Sequence, residues 1–145
     1  MGAEQEEVAL SFLAFASGED QDVDAMIGMM SEDVSWQPNV PCTPRVGRKA
    51  ARAEFEQQNA TSTGLLPTSR ITNIASNDRA VFVERIDVFK QGGKEVTLHI
   101  NGVLEIEDGK VVAWREYFDL AHLASQLDID VRHFVMGLRP DSAAS

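Results

Sequence analysis

The chain has 145 residues, of which 43% are hydrophobic and 25% charged, and it carries a formal charge of −10. That length sets one ordinary domain able to surround a small cavity; the acidity, without clustered Lys and Arg, argues against nucleic acid, and the apolar runs fall far short of the ~20 residues of a membrane span. The single cysteine, Cys42, excludes an intramolecular disulfide framework and reads as a buried structural thiol, while the acids in MGAEQEEVAL stand where a secretory signal would be basic, so the expected compartment is the cytoplasm.

In chain order, Val8, Phe12, Phe15 and Ala16 recur at helical spacing and the pattern stops at Gly18, which gives a first helix. Asp20 or Asp22 caps a second, in which Val23, Met26, Ile27 and Met30 fall on one stripe. Residues 33–47 are Pro-rich, with a short strand at their start. A third helix covers 48-RKAARAEFEQQN-59, with Ala51 and Phe55 as its apolar positions, and 60–69 is a loop.

From Arg70 the period becomes alternating. Strands are predicted at 70–75, 80–89, 95–106 and 111–119, joined by Ser76-Asn77-Asp78, Gln91-Gly92-Gly93 and Asp108-Gly109. Short turns between consecutive strands imply an antiparallel meander. Leu120, Leu123 and Leu127 suggest a closing helix, and 139–145 a frayed tail. With no repeat or composition break, residues 1–145 read as a single α+β domain: a curved antiparallel sheet forming a cone-shaped barrel, closed by the N-terminal helices around a buried apolar pocket.

Two of these strands carry charge on an apolar face. Val81, Val83, Arg85, Asp87 and Phe89 share one parity, and Val112, Trp114, Glu116 and Phe118 share another. A structural ion pair between Arg85 and one acid, with the other acid at a sheet edge, would account for this. If all three meet, however, full ionisation leaves an unbalanced buried negative charge, and one acid keeps a proton. Two carboxyls separated in this way are an acid and a base, with Arg85 bridging them.

The segments 84-ERIDVF-89, 102-GVLEIEDGKVVAWREYFDL-120 and 36-WQPNVP-41 followed by Gly47-Arg48 resemble the limonene-1,2-epoxide hydrolase family, within the wider nuclear-transport-factor-2-like or ketosteroid-isomerase-like fold. The likeness covers most of the chain from the second helix to Leu120. It implies an Asp-Arg-acid triad that opens an epoxide to a diol in one step, with no covalent intermediate and no cofactor. By this resemblance Asp87 is the general acid, Arg85 the bridge, and Glu116 stands where the family has an aspartate that activates water. Trp36 falls at the position of a water-holding tyrosine, and Asn39 matches the water-holding asparagine if Pro38 is an inserted residue.

An apolar electrophile needs a dry pocket, whose expected wall is Trp114, Phe118, Phe89, Val83, Leu98 and Ile100, with Met26 and Met30 closing it from the second helix. The expected partners are an apolar epoxide of terpene or fatty type, water, and a second copy of the chain, because Phe82, Ile86 and Val88 on the outer sheet face need cover. His99, His122 and His133 lack ligand spacing, so no metal site is expected. A ketosteroid-isomerase-like or polyketide-cyclase-like enzyme, and a non-catalytic binding or dimerisation module, remain open on the same fold.

Overall fold

The computed structural model describes residues 2–61 and 68–132. Among these, α1 (Gly2–Ala16), α2 (Val23–Gly28) and α3 (Arg48–Thr61) are interleaved with β1 (Met30–Gln37) and β2 (Arg45–Val46). The strands β3 (Thr68–Ser76), β4 (Ala80–Gln91), β5 (Lys94–Glu107) and β6 (Lys110–Tyr117) follow, and then α4 (Leu120–Leu127). The tail at 139–145 and His133 lie outside the described residues, as does most of the 60–69 loop. No helix among the described residues is long and apolar enough to cross a membrane.

The architecture is the expected α+β, with two corrections to the sheet. Its six strands run in the order β2-β1-β6-β5-β4-β3. The meander from β3 to β6 is antiparallel, but β1 pairs with β6 in parallel, so the sheet is mixed. Parallel neighbours need a long crossover, and here α3 together with β3, β4 and β5 serves as that connection. The sheet also does not close into a barrel. Closure requires hydrogen bonding between the two edge strands, and the edges, β2 and β3, remain at opposite ends of the order.

Two local readings are corrected as well. The second helix stops at Gly28, with Met29 as its C-cap, and Met30 opens β1; the stripe through Met26 and Met30 fits a helix and an inward-facing strand start equally well. In β6, Glu105 pairs with Ala113 while Ile106 pairs with Val111, so a bulge absorbs Val112. Val111, Trp114 and Glu116 therefore point inward, and Val112 is only half-buried. The turn signals behave as read: Gly92 (φ 59) and Gly93 (φ 79) adopt the left-handed backbone that a tight two-residue hairpin demands.

The helices cover one sheet face through Ala9, Phe12 and Leu13 of α1, Met26 and Ile27 of α2, and Ala51 and Phe55 of α3. They meet Val34, Trp36, Val81, Val83, Leu104, Ile106, Val111 and Trp114 from the sheet in one core. Phe12 packs edge-on to Trp114, with ring centroids 4.9 Å apart at 87°, the orientation the ring quadrupoles favour. A second apolar cluster gathers Val96, Leu98, Ile100 and Leu123, with Phe89, Phe118 and Leu127 against it. Arg48 anchors β1 by donating from Nε and Nη2 to the Met30 carbonyl at 2.9 and 2.6 Å.

Candidate active site

A cavity of about 360 Å³ opens where the two apolar clusters meet. Leu13, Trp36, Phe55 and Trp114 reach it from the first cluster, and Phe89, Leu98, Ile100, Phe118 and Leu123 from the second. Among the described residues its charged lining consists of Arg85, Asp87 and Glu116. The strand pairing explains why they converge. Arg85 and Asp87 are two apart on β4 and so share its inner face, flanked across the ladder by Ile100 and Leu98. Glu116 comes from β6, beyond β5, where its direct partner is Gly102.

Gly102 makes the convergence possible. A Cβ there would stand 2.7 Å from Glu116 Oε2 and 3.0 Å from Arg85 Nη1. The missing side chain leaves space through which the arginine reaches across an intervening strand. Arg85 Nη1 donates to Glu116 Oε2 at 2.8 Å, and Nη2 donates to Glu116 Oε1. On its other edge Nε donates to Asp87 Oδ1 at 3.0 Å and, more loosely, to Oδ2 at 3.3 Å, with Nη2 reaching Oδ2 at 3.2 Å. One guanidinium thus bridges two carboxyl groups.

The two acids sit in different surroundings. Arg85 and Glu116 are each 5% exposed, whereas the Asp87 side chain retains 22%. Burial pushes the Glu116 carboxyl above its ordinary value; the charge and hydrogen bonds of Arg85 oppose that rise without cancelling it, and the negative charge of Asp87 adds to it. For Arg85, desolvation would favour loss of the proton, but the two carboxylates outweigh it and hold the guanidinium more firmly charged than usual. With one fixed positive charge and two acids, a neutral site contains one shared proton.

Beside Glu116 lies an aromatic stack. Trp36 and Trp114 are register partners in the parallel β1–β6 ladder, and their rings stack at 4.7 Å and 5°. Neither indole N–H has a hydrogen-bond partner of ordinary geometry, although the Trp114 N–H lies near enough to favour the Glu116 carboxylate weakly. The Asn39 side-chain oxygen is also buried without a partner. Asn39 is held close to β6 because the next residue, Val40, donates its N–H to the Glu116 carbonyl at 2.9 Å. Trp36, Trp114 and Asn39 line the same cavity as Glu116, with two donors and one acceptor buried and unpartnered among them.

The structure thus brings Asp87, Arg85, Glu116, Asn39 and Trp36 into one cavity, with Trp114, Phe118, Phe89, Leu98 and Ile100 on its wall. It does not bring Val83, Met26 or Met30 there; all three are packed in the first core beneath the site. Two contributors escaped sequence reasoning. Glycine inside a strand is a general sign of close backbone approach, and Gly102 carried that sign. Ser69, assigned to a loop, is a β3 residue paired with Asp87, and its hydroxyl donates to Asp87 Oδ1. Asp119 caps α4, accepting from the N–H groups of Ala121 and His122 at 2.9 and 3.2 Å. Cys42 is a buried free thiol, and His99 and His122 are exposed. Among the described residues no group of three or more His, Cys, Asp or Glu is placed to hold a metal.

Comparison with known proteins follows the same geometry. The family described as the limonene-1,2-epoxide hydrolase catalytic domain matches residues 4–128. The epoxide hydrolase EphG of Mycobacterium tuberculosis is 31% identical over 111 residues, 76% of this chain and 70% of that protein. Among solved structures, an LEH-like epoxide hydrolase from M. tuberculosis superposes with a TM-score of 0.74 at 23% identity, covering 93% of this chain and 95% of that one. SalBIII, an epoxide hydrolase/cyclase-like enzyme of pyran ring formation in the polyether salinomycin, superposes with a TM-score of 0.72 at 17% identity, over 83% and 94% of the two chains. The fold is the nuclear-transport-factor-2-like, ketosteroid-isomerase-like one.

Proposed function

This chain belongs to the limonene-1,2-epoxide hydrolase family, and from that premise we propose that it adds water to an apolar epoxide in one step to give a diol. The observation that carries the reading is the bridging of Asp87 and Glu116 by Arg85 against the aromatic and aliphatic wall of the cavity. In the proposed step Asp87 gives its proton to the epoxide oxygen as the C–O bond breaks. Water attacks the carbon from the opposite side, and its proton passes to Glu116. Transfer of one proton from Glu116 back to Asp87, directly or through solvent, restores the starting state, and no metal or organic cofactor is involved.

Each element of that step has a physical support. The aromatic and aliphatic part of the wall suits an uncharged electrophile. The raised proton affinity of Glu116 makes it a stronger base than a solvated carboxylate, while the Arg85 contacts favour its charged form. A water beside Glu116 could accept from the Trp36 indole and donate to Asn39, both of which are otherwise unpartnered.

The buried position of Glu116 also favours a second reading, in which it holds the shared proton and acts as the acid while Asp87 acts as the base. A third keeps the acid and base but replaces water by a hydroxyl of the substrate, giving a cyclic ether. Incubation of limonene-1,2-epoxide and longer-chain epoxides in ¹⁸O-water tests all three: label in a diol supports hydrolysis, its position reports the carbon attacked, and an unlabelled cyclic product supports cyclisation. A protein that leaves every epoxide unchanged but isomerises or cyclises unsaturated ketones overturns the proposal.

We further infer a homodimer, because Phe82 on the outer sheet face is 43% exposed and Tyr117 42%, with Ile86 and Val88 half-buried beside Phe82. The buried free thiol suits a reducing compartment, and a cytoplasmic location forms part of the same proposal.

A further inference from the structure

We propose that Ser69 is the positioning residue of the proton-donating half of the site: by occupying Asp87 Oδ1, its hydroxyl leaves Oδ2 as the oxygen that carries the proton to the epoxide. The inference rests on the reading of Asp87 as the general acid.

Ser69 lies on the edge strand β3, directly opposite Asp87 in the β3–β4 ladder. Side chains directly opposed in an antiparallel pair project from the same face of the sheet, so Ser69 lines the cavity with Asp87. Its Oγ donates to Oδ1, and Oδ1 also receives Arg85 Nε at 3.0 Å. Both in-plane lone pairs of Oδ1 are therefore engaged. Oδ2 meets the guanidinium only through the longer contacts of 3.2 and 3.3 Å, at or beyond the limit of an ordinary N–H···O bond. A proton on Oδ1 would either face the Arg85 Nε hydrogen or require the Ser69 hydroxyl to turn from donor to acceptor. A proton on Oδ2 avoids that conflict.

The other groups at the site do not substitute for the serine. Leu98 is the β5 neighbour of Asp87 and offers no donor. Among the described residues the ionisable side chains lining the cavity with Asp87 are Arg85 and Glu116, and Arg85 is shared between the two acids. The serine is thus a donor to Asp87 that is independent of the ion bridge, and removing it alters one acid without breaking the contact to Glu116.

The test compares the wild type with Ser69→Ala and Ser69→Thr. Steady-state hydrolysis of limonene-1,2-epoxide is measured across pH, and the Asp87 carboxyl is followed by ¹³C NMR in aspartate-labelled protein, with Asp87→Asn to assign the signal. In Ser69→Ala, kcat is expected to fall about tenfold with KM within about twofold, since small misplacements of an acting group are costly in rate. The alkaline limb of kcat/KM and the NMR midpoint are expected to move to higher pH, because a donated hydrogen bond favours the ionised carboxylate and its loss favours the proton. Ser69→Thr, which retains the hydroxyl, is expected to restore both.

An unmoved NMR midpoint in Ser69→Ala overturns the coupling between the two side chains. A rise in KM at constant kcat overturns the positioning role and makes Ser69 part of the substrate wall. If the wild type forms no diol while the midpoint still moves, the hydrolase reading fails and the hydrogen-bond assignment stands. A moved midpoint accompanied by a shift of the acid limb instead assigns Asp87 as the base and overturns its place as proton donor.

Discussion

Gly102 faces Glu116 across the β5–β6 ladder so closely that a methyl group on the glycine would sit 2.7 Å from the carboxylate oxygen. Gly102→Ala is therefore expected to push Glu116 and Arg85 out of register with each other. A displacement near 1 Å at a reacting group costs on the order of 100-fold in rate. Diol formation should drop by that order while the circular dichroism spectrum stays native. An alanine variant with undiminished activity would show that the cradle is not tight.

Arg85→Ala removes the only cation that the described structure places between Asp87 and Glu116. Breaking a buried ion pair by deleting one partner costs about 3–5 kcal/mol, so chemical denaturation near pH 7 should show a loss of that order. The sign of the pH effect follows from burial. A Glu116 without its arginine binds a proton more tightly folded than unfolded, so the variant should regain stability as pH falls. A variant equally unstable at pH 5 and pH 7 would contradict the assignment of the defect to the orphaned carboxylates.

In the wild type, Glu116 already holds its proton more tightly than the ordinary value of 4.5. Its protonation contributes stability below that ordinary value, and the contribution is lost as pH rises through the raised one. A base must be ionised to act, so kcat/KM should fall on acidification with a midpoint above 4.5. Glu116→Gln should abolish that limb together with about 100- to 10,000-fold of the activity. If activity instead falls on raising pH through the same midpoint, Glu116 is the acid.

Asn39 tests the water. Asn39→Ala deletes the buried, unpartnered acceptor of a residue that lines the cavity and is expected to lower kcat by about 10- to 100-fold, the scale of a lost positioning contact. KM for an apolar epoxide should hardly change. A change confined to KM would move Asn39 from the water to the substrate.

For the proposed dimer, light scattering at micromolar concentration should give twice the chain mass, and Phe82→Asp should halve it. A monomeric wild type would leave the outer face unpaired.

The triad was legible because ionisable side chains interrupt two otherwise apolar strand faces, and parity alone aligns Arg85 with Asp87. The strands from β3 to β6 were legible for a related reason: alternation and Gly- or Asp-containing turns are local signals. The pairing of β1 with β6 was not, since 30-MSEDVSWQ-37 mixes acids and serines with its inward Met30, Val34 and Trp36, and its partner lies far along the chain. Val112 shows how a single bulge reverses parity over part of a strand. The role of Ser69 depended on where β3 begins, and strand ends are set by tertiary pairing more than by composition.

Both tryptophans of the chain stand face to face beside the proposed base, Trp36 over Trp114 at 4.7 Å. The indole emission of this protein and the indole part of its near-ultraviolet dichroism therefore arise from a single location, with two stacked rings close enough for excitonic coupling. An event that separates β1 from β6, or that places a ligand against the rings, would register optically without an attached dye. The chain carries a native spectroscopic gauge at the place where its chemistry is proposed to occur.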